Sequence, residues 1–178
     1  SLVRDSMARY HAANASRDGW RELSDEGVRL AERAAELDPK NAAARYALFL
    51  NLGLRAERSG LGAQLFTVRR LRALLDETIE LDPRHAHAWE ARGEMLARMP
   101  RLLGGSRTEA EKAYRRSAEL DPEWAKPWLR LAELARENDD LKTAKELGHR
   151  ARRLACESGL PDAEICEGAT ALTAGLPR

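Results

Sequence analysis

The sequence contains few of the residues that build β-sheets. Among its 178 residues there are only 3 valines, 2 isoleucines and 6 threonines, and aromatic side chains make up 5%. Strands favour β-branched and aromatic side chains, so this composition argues against a sheet of any size. Alanine and leucine, by contrast, number 31 and 27, and both residues favour helices. We therefore expect an all-α protein.

Other absences narrow the class of protein further. The formal net charge is +1, so there is no overall basic field to attract nucleic acid or an anionic membrane. No apolar run approaches the ~20 residues that a transmembrane helix needs. With 43% hydrophobic residues the chain is too apolar for a disordered segment. These features predict one folded domain over residues 1–178.

Patterns of catalytic or metal-binding residues are also missing. His85 and His87 are two residues apart, which on a helix directs them to different faces. No glycine-rich phosphate loop and no nucleophile motif is present. Two clusters of arginines, at 69–72 and 150–153, have acidic residues close by, as solvated helix surfaces commonly do. The sequence thus predicts a protein that is not an enzyme, has no metal or cofactor and binds no nucleic acid.

The two cysteines allow two interpretations. Cys156 and Cys166 lie ten residues apart near the C-terminus. They are either free buried thiols or a disulfide that pins the last helix, and a disulfide would require an oxidising compartment such as the periplasm. The chain begins with Ser1 instead of Met, from which we expect a trimmed N-terminus. Both a cytoplasmic and a periplasmic location fit this sequence.

A repeated motif organises the chain. Three segments share the ending Glu-Leu-Asp-Pro, at residues 36–39, 80–83 and 119–122, and an alanine-rich stretch follows each of them. An Asp before Pro is disfavoured in the α region, so each motif should end one helix and begin a turn. The three aspartates are therefore expected to have a structural role.

The residues between these motifs predict nine helices. Helix breaks are expected at Gly60–Gly62 and Met99–Gly105, and Ser106 should cap the next helix, with Glu109 completing a capping box. The predicted helices span residues 2–16, 20–37, 41–58, 63–81, 85–99, 106–120, 124–137, 140–157 and 162–174. They give four helical pairs (2–39, 41–83, 85–122 and 124–157) and a C-terminal cap (162–174) that begins at Pro161 and Asp162.

The repeated motif resembles the tetratricopeptide repeat (TPR), a unit of two antiparallel helices. Trp89 and Trp128 lie six residues after a repeat proline, where the family favours tryptophan, whereas Arg45 departs from this pattern. Small and aromatic residues match other family positions, namely Gly93, Ala132, Ala110, Tyr114, Ser117, Ala144, Gly148 and Ala151. The resemblance is stronger in the C-terminal half, and it implies a right-handed antiparallel helical-repeat solenoid.

The resemblance also implies a function in binding proteins. TPR proteins are scaffolds whose concave surface, lined by the first helix of each pair, holds a protein or peptide segment. The family's contact positions correspond here to Tyr46, Leu50, His87, Glu90, Glu94, Lys126, Leu129, Arg130, Glu133 and Arg136. Six of these residues should be partly exposed and point to one side: Tyr46, Leu50, Glu94, Leu129, Arg130 and Glu133. For Leu50 and Leu129 the alternative is burial in the core.

Two further hypotheses stand beside the adaptor. The loop Met99–Gly105 is similar to a loop of bacterial TPR lipoproteins associated with TRAP-type solute transporters. This similarity implies a periplasmic accessory protein of a transporter, or a small-ligand binder. The third hypothesis is a homo-oligomeric scaffold that stacks end to end.

Overall fold

The computed structural model describes residues 1–157 and 162–176, without the side chains of residues 61 and 63–66. This part of the chain contains nine α-helices, one short 3₁₀ turn and no strand. The helices are α1 (Leu2–Ala15), α2 (Trp20–Leu37), α3 (Ala42–Ser59), α4 (Leu61–Leu81), α5 (Ala86–Arg98), α6 (Arg107–Leu120), α7 (Ala125–Glu137), α8 (Leu141–Cys156) and α9 (Ala163–Ala174). The all-α prediction is confirmed.

The predicted helix boundaries agree with the observed ones to within two residues. The first break is narrower than expected, because Gly60 alone separates α3 from α4 with a φ of 92°, a value that favours glycine. Gly62 lies inside α4. The second break holds a 3₁₀ turn, Arg101–Leu103, which the sequence did not predict. Pro161, the expected start of the cap, lies outside the described residues, whereas Asp162 caps α9 by accepting from the Ile165 amide at 3.1 Å.

Two of the three repeated aspartates close their turns with a side-chain hydrogen bond, in agreement with the predicted structural role. Asp38 Oδ1 accepts a hydrogen bond from the Lys40 amide at 3.2 Å, and Asp82 Oδ1 accepts one from the Arg84 amide at 3.0 Å. At these two positions the motif is therefore a helix stop followed by a turn that the aspartate side chain closes.

The cap of α6 differs in part from the predicted capping box. Ser106 accepts from the Glu109 amide at 3.3 Å, but its own amide donates to the Leu96 carbonyl at 3.0 Å. The Glu109 carboxylate pairs with Lys112 instead. Ser106 thus caps its helix without the reciprocal half of the box.

The helices form two compact units, Ser1–Arg84 (unit 1, α1–α4) and His85–Arg178 (unit 2, α5–α9). Within each unit, helices that follow one another in the chain pack together. The organisation of the whole chain as one domain stays a prediction.

Unit 1 combines an apolar core with a buried polar network. The core contains Val28, Ala31, Ala47, Leu48, Leu52 and Leu74. Beside it, the fully buried Asn51 donates to Ser6 Oγ at 3.1 Å and to the Ala47 carbonyl at 2.9 Å. Ser6 in turn donates to the Gly27 carbonyl at 2.8 Å. These bonds join α1, α2 and α3, and they satisfy the Asn51 amide and the Ser6 hydroxyl as donors, which would otherwise be costly to bury.

Unit 2 has two apolar clusters, and Trp128 packs against both. The indole of Trp128 donates to the Pro122 carbonyl at 3.0 Å, and the Arg150 guanidinium lies 3.7 Å from the ring centroid. Trp89 and Trp128 are both half-buried. Among the described residues, Tyr114 of α6 is the largest side chain that is fully buried.

Helix α9 covers the α7–α8 pair and is linked to it covalently. Its apolar residues Ile165, Ala169 and Leu172 join the cluster that contains Leu129 of α7. Cys156 and Cys166 form a disulfide, with Cα atoms 5.1 Å apart. Of the two interpretations of the cysteines, the structure supports the disulfide that pins the cap.

Candidate functional site

Four of the predicted contact residues of unit 2 form ion pairs between α5 and α7. Glu90 and Glu94 are four residues apart on α5, and Lys126 and Arg130 have the same spacing on α7. Lys126 Nζ lies 2.9 Å from Glu90 Oε1, and the Arg130 Nε pairs with Glu94. Arg130 also contacts Glu133 Oε2 at 2.9 Å through Nη1. The charged side chains that the sequence predicted for a binding groove therefore pair with one another between α5 and α7.

Tyr114 of α6 forms a hydrogen bond with one of these ion pairs. Its hydroxyl donates to Glu94 Oε1 at 3.2 Å. Its ring lies against Gly93, where an added Cβ would come within 2.5 Å of the ring carbon Cε1. Glycine at position 93 therefore lets α5 and α6 approach closely enough for the tyrosine to reach the carboxylate.

Burial and neighbouring charges shift the pKa values of three groups in this network. Burial, followed by the nearby Glu94, raises the pKa of the Tyr114 hydroxyl, which stays a proton donor. Partial burial lowers the pKa of the Arg130 guanidinium, but Glu133 and Glu94 outweigh it and raise that pKa overall. Burial raises the pKa of the Glu90 carboxyl, and Lys126 opposes this effect.

An open depression of about 340 Å³ lies above this network. It is lined by Glu94, Ala97, Arg98, Arg107, Tyr114, Arg130, Glu133, Leu134 and Glu137. Its lining includes three acidic residues and three arginines, and it also includes apolar side chains. A volume of this order accommodates one or two side chains of a bound segment.

Two arginines that the sequence analysis did not single out for binding also line the depression. Arg107 pairs with Glu137, whereas Arg98 is exposed and makes no ion pair with a described residue. The spacing of the ion pairs explains this difference. Arg98 and Leu134 lie one helical turn beyond the Glu94–Arg130 pair, on α5 and α7 respectively. Both residues line the depression. No carboxylate of α7 occupies the position that would pair with Arg98.

The expectation that Leu129 is partly exposed is wrong. Leu129 is 3% exposed and packs in the core beneath α9, because the cap helix covers that face of α7. Glu90 is likewise 3% exposed. Its carboxylate pairs with Lys126 and is not accessible to a binding partner.

The remaining predicted contact residues are at least partly accessible. His87 is exposed and its ring centroid lies 4.1 Å from that of Trp124; loss of hydration, then His85, lowers the pKa of its imidazole. Arg136 is exposed as well. Tyr46 and Leu50 are half-buried on α3 in unit 1, and Tyr46 stacks on Phe49. Their membership of one binding surface stays a prediction.

The described ranges contain neither a metal-binding cluster nor a membrane-spanning helix. They hold no group of three or more His, Cys, Asp or Glu residues arranged to bind a metal ion. None of their helices combines the length and apolar character required to cross a bilayer. His85, one of the two closely spaced histidines, caps α5 through Nδ1, which accepts from the Ala88 amide at 3.2 Å.

Comparison with solved structures identifies the fold. The TPR protein TTC0263 of Thermus thermophilus aligns with a TM-score of 0.68 over 96% of this chain and 82% of its own, at 18% identity. MamA of Desulfovibrio magneticus RS-1, from residue 41 to its end, aligns with a TM-score of 0.58 over 96% of this chain and 84% of its own, at 15% identity. No protein-family model and no curated protein sequence matches the chain.

The class that these observations define is an all-α helical-repeat protein. Its pairs of helices, its repeated Asp-Pro turns and its structural relatives show the TPR fold.

Proposed function

We propose that this chain is a non-enzymatic adaptor that holds a segment of a protein partner in the depression of unit 2. The observation that carries the proposal is the depression itself. Its wall carries paired charges, and Arg98, which makes no ion pair within the described residues, lies at its rim. A partner can contact the rim without breaking the ion pairs between Glu94, Arg130 and Glu133.

The wall is arranged for binding with little rearrangement. Arg130 is held by two carboxylates, and Tyr114 is fully buried beneath it. Side chains that are already fixed lose little conformational entropy when a ligand arrives, which favours affinity. Arginine, which lines the depression at three positions, is also a residue type in which binding energy concentrates at protein interfaces.

A peptide selection with the full chain tests this function. Random peptides displayed on phage are selected on the immobilised protein, and their affinities are measured by fluorescence anisotropy. We expect binding that is lost in Ala97→Phe, because Ala97 lines the depression and a phenyl ring would fill it. Ala73→Phe, at an exposed alanine of α4, is the matched control and should bind normally. Selected peptides that bind Ala97→Phe as tightly as the wild type would refute the assignment to this depression.

A second candidate, a periplasmic accessory protein, is favoured by the Cys156–Cys166 disulfide. Disulfides persist in oxidising compartments and are rare in the cytosol. We expect cell fractionation to find the native protein outside the cytoplasm, with both cysteines resistant to alkylation until they are reduced. Cytoplasmic protein with freely alkylated cysteines would count against this candidate, while the adaptor function would stand.

A further inference from the structure

The turn between α5 and α6 presents two leucines to solvent. Leu102 is 99% exposed and Leu103 is 53% exposed, on the 3₁₀ turn Arg101–Leu103. Full exposure of a large apolar side chain is unfavourable in water, and such exposed groups often mark an interaction surface.

This turn is held in one conformation by its backbone. The Leu103 amide donates to the Pro100 carbonyl at 2.9 Å, and the Gly105 amide donates to the same carbonyl at 3.1 Å. Gly104 has a φ of 90°, which favours glycine. A Cβ at Gly105 would overlap the Met99 carbonyl. The sequence of the turn therefore fixes the leucines in an outward position, where they could contact a partner at a small entropic cost.

The charges around the leucines are mainly positive. Arg98 precedes the turn, Arg101 opens it and Arg107 follows it, and Arg98 and Arg107 also line the depression. Neither Arg98 nor Arg101 forms an ion pair within the described part of the chain. The exposed leucines therefore lie next to arginines that also line the depression. These arginines can pair with an acidic group of a partner.

We infer that the Leu102–Leu103 turn is a second contact for the partner segment, and that this segment is acidic and apolar. Its apolar side chain packs on Leu102 and Leu103, and a neighbouring carboxylate pairs with Arg98. This inference rests on the proposed function and extends it to the class of partner. An anionic lipid surface suits the region less well, because the carboxylates of Glu94, Glu133 and Glu137 line the adjoining depression.

The selected peptides test this inference through their sequences and through variants of the full chain. We expect enrichment of Asp or Glu next to a large apolar residue. The double variant Leu102→Ser/Leu103→Ser should weaken peptide binding about tenfold or more, as should Arg98→Glu. Two controls should keep wild-type affinity: Leu37→Ser, at a leucine 63% exposed on α2, and Arg153→Glu, at an exposed arginine of α8.

Three results would overturn the inference, and they separate it from the proposed function. If Ala97→Phe abolishes binding but the double leucine variant does not, the depression binds the segment without the turn. If no peptide binds the wild type, the proposed function fails and the inference fails with it. If the chain floats with phosphatidylglycerol vesicles but not with phosphatidylcholine vesicles, and the double leucine variant does not float, the turn is a lipid contact.

Discussion

Replacing Gly93 by alanine should destabilise unit 2, although alanine is the better helix former. An added Cβ would lie 2.5 Å and 2.6 Å from two ring carbons of Tyr114, well inside van der Waals contact. Tyr114 is 2% exposed and packs in an apolar cluster with Leu131 and Leu134, so moving its ring away from position 93 would disturb that cluster. The ring is also held at its far end, where the hydroxyl donates to Glu94.

The magnitude follows from three opposing contributions. Overpacking of a well-packed core costs about 1–3 kcal/mol. Displacing the ring would also weaken its hydrogen bond to a charged carboxylate, which contributes about 1.5–3 kcal/mol. Against these costs, alanine gains about 1 kcal/mol over glycine inside a helix. We expect Gly93→Ala to lower the free energy of unfolding by about 1.5–5 kcal/mol, measured by urea denaturation and far-UV circular dichroism.

The chain contains a matched control for this substitution. Gly53 lies inside α3, and a Cβ built there would meet nothing within 4 Å. Gly53→Ala should therefore raise stability by about 0.5–1 kcal/mol. If Gly93→Ala were as stable as the wild type or more so, the close approach of α5 to Tyr114 would not be the reason for glycine at position 93.

A double-mutant cycle locates the cause in the aromatic ring. Leucine at position 114 lacks the ring atoms that the new Cβ would meet. The cost of Gly93→Ala should therefore be smaller by at least about 1 kcal/mol in a Tyr114→Leu background than in the wild type. Equal costs in both backgrounds would attribute the loss to another neighbour.

Three further predictions concern other parts of the molecule. Gly27→Ala should cost about 2–4 kcal/mol, because its Cβ would lie 2.6 Å from Asn51 Cγ in the buried polar network; a neutral result in urea melts would contradict this. Burial raises the pKa of Glu90 above its ordinary 4.5. The folded state therefore loses stability as the pH rises above 4.5 and Glu90 becomes ionised. The stability of Glu90→Gln relative to the wild type should then increase between about pH 4 and about pH 7, and a constant or falling difference would refute the assignment. Reducing the Cys156–Cys166 disulfide, which closes a ten-residue separation, should lower unfolding stability by about 2–3 kcal/mol; the Cys156→Ser/Cys166→Ser variant should not respond to reductant.

The sequence by itself determined the helices and their ends, because these depend on local interactions. An Asp-Pro pair stops a helix through steric exclusion between neighbouring residues, and a serine or aspartate caps the next helix within a few residues. The repeated motif then identified the TPR pairing, since a motif that recurs along the chain requires the same local structure at each occurrence.

The tertiary structure decided which of the predicted contact residues are accessible. Leu129 and Tyr46 both lie seven residues after a repeat proline, but α9 covers Leu129, and only the packing of the cap reveals this. The pairing of Glu94 with Arg130, which leaves Arg98 without a partner on α7, depends on how α5 and α7 are placed side by side. That placement is set by side chains between the helices, such as Tyr114 against Gly93. The sequence allowed two states for the cysteines, and the approach of α9 to α8 selected the disulfide, because bond formation requires two distant segments to meet at a fixed separation.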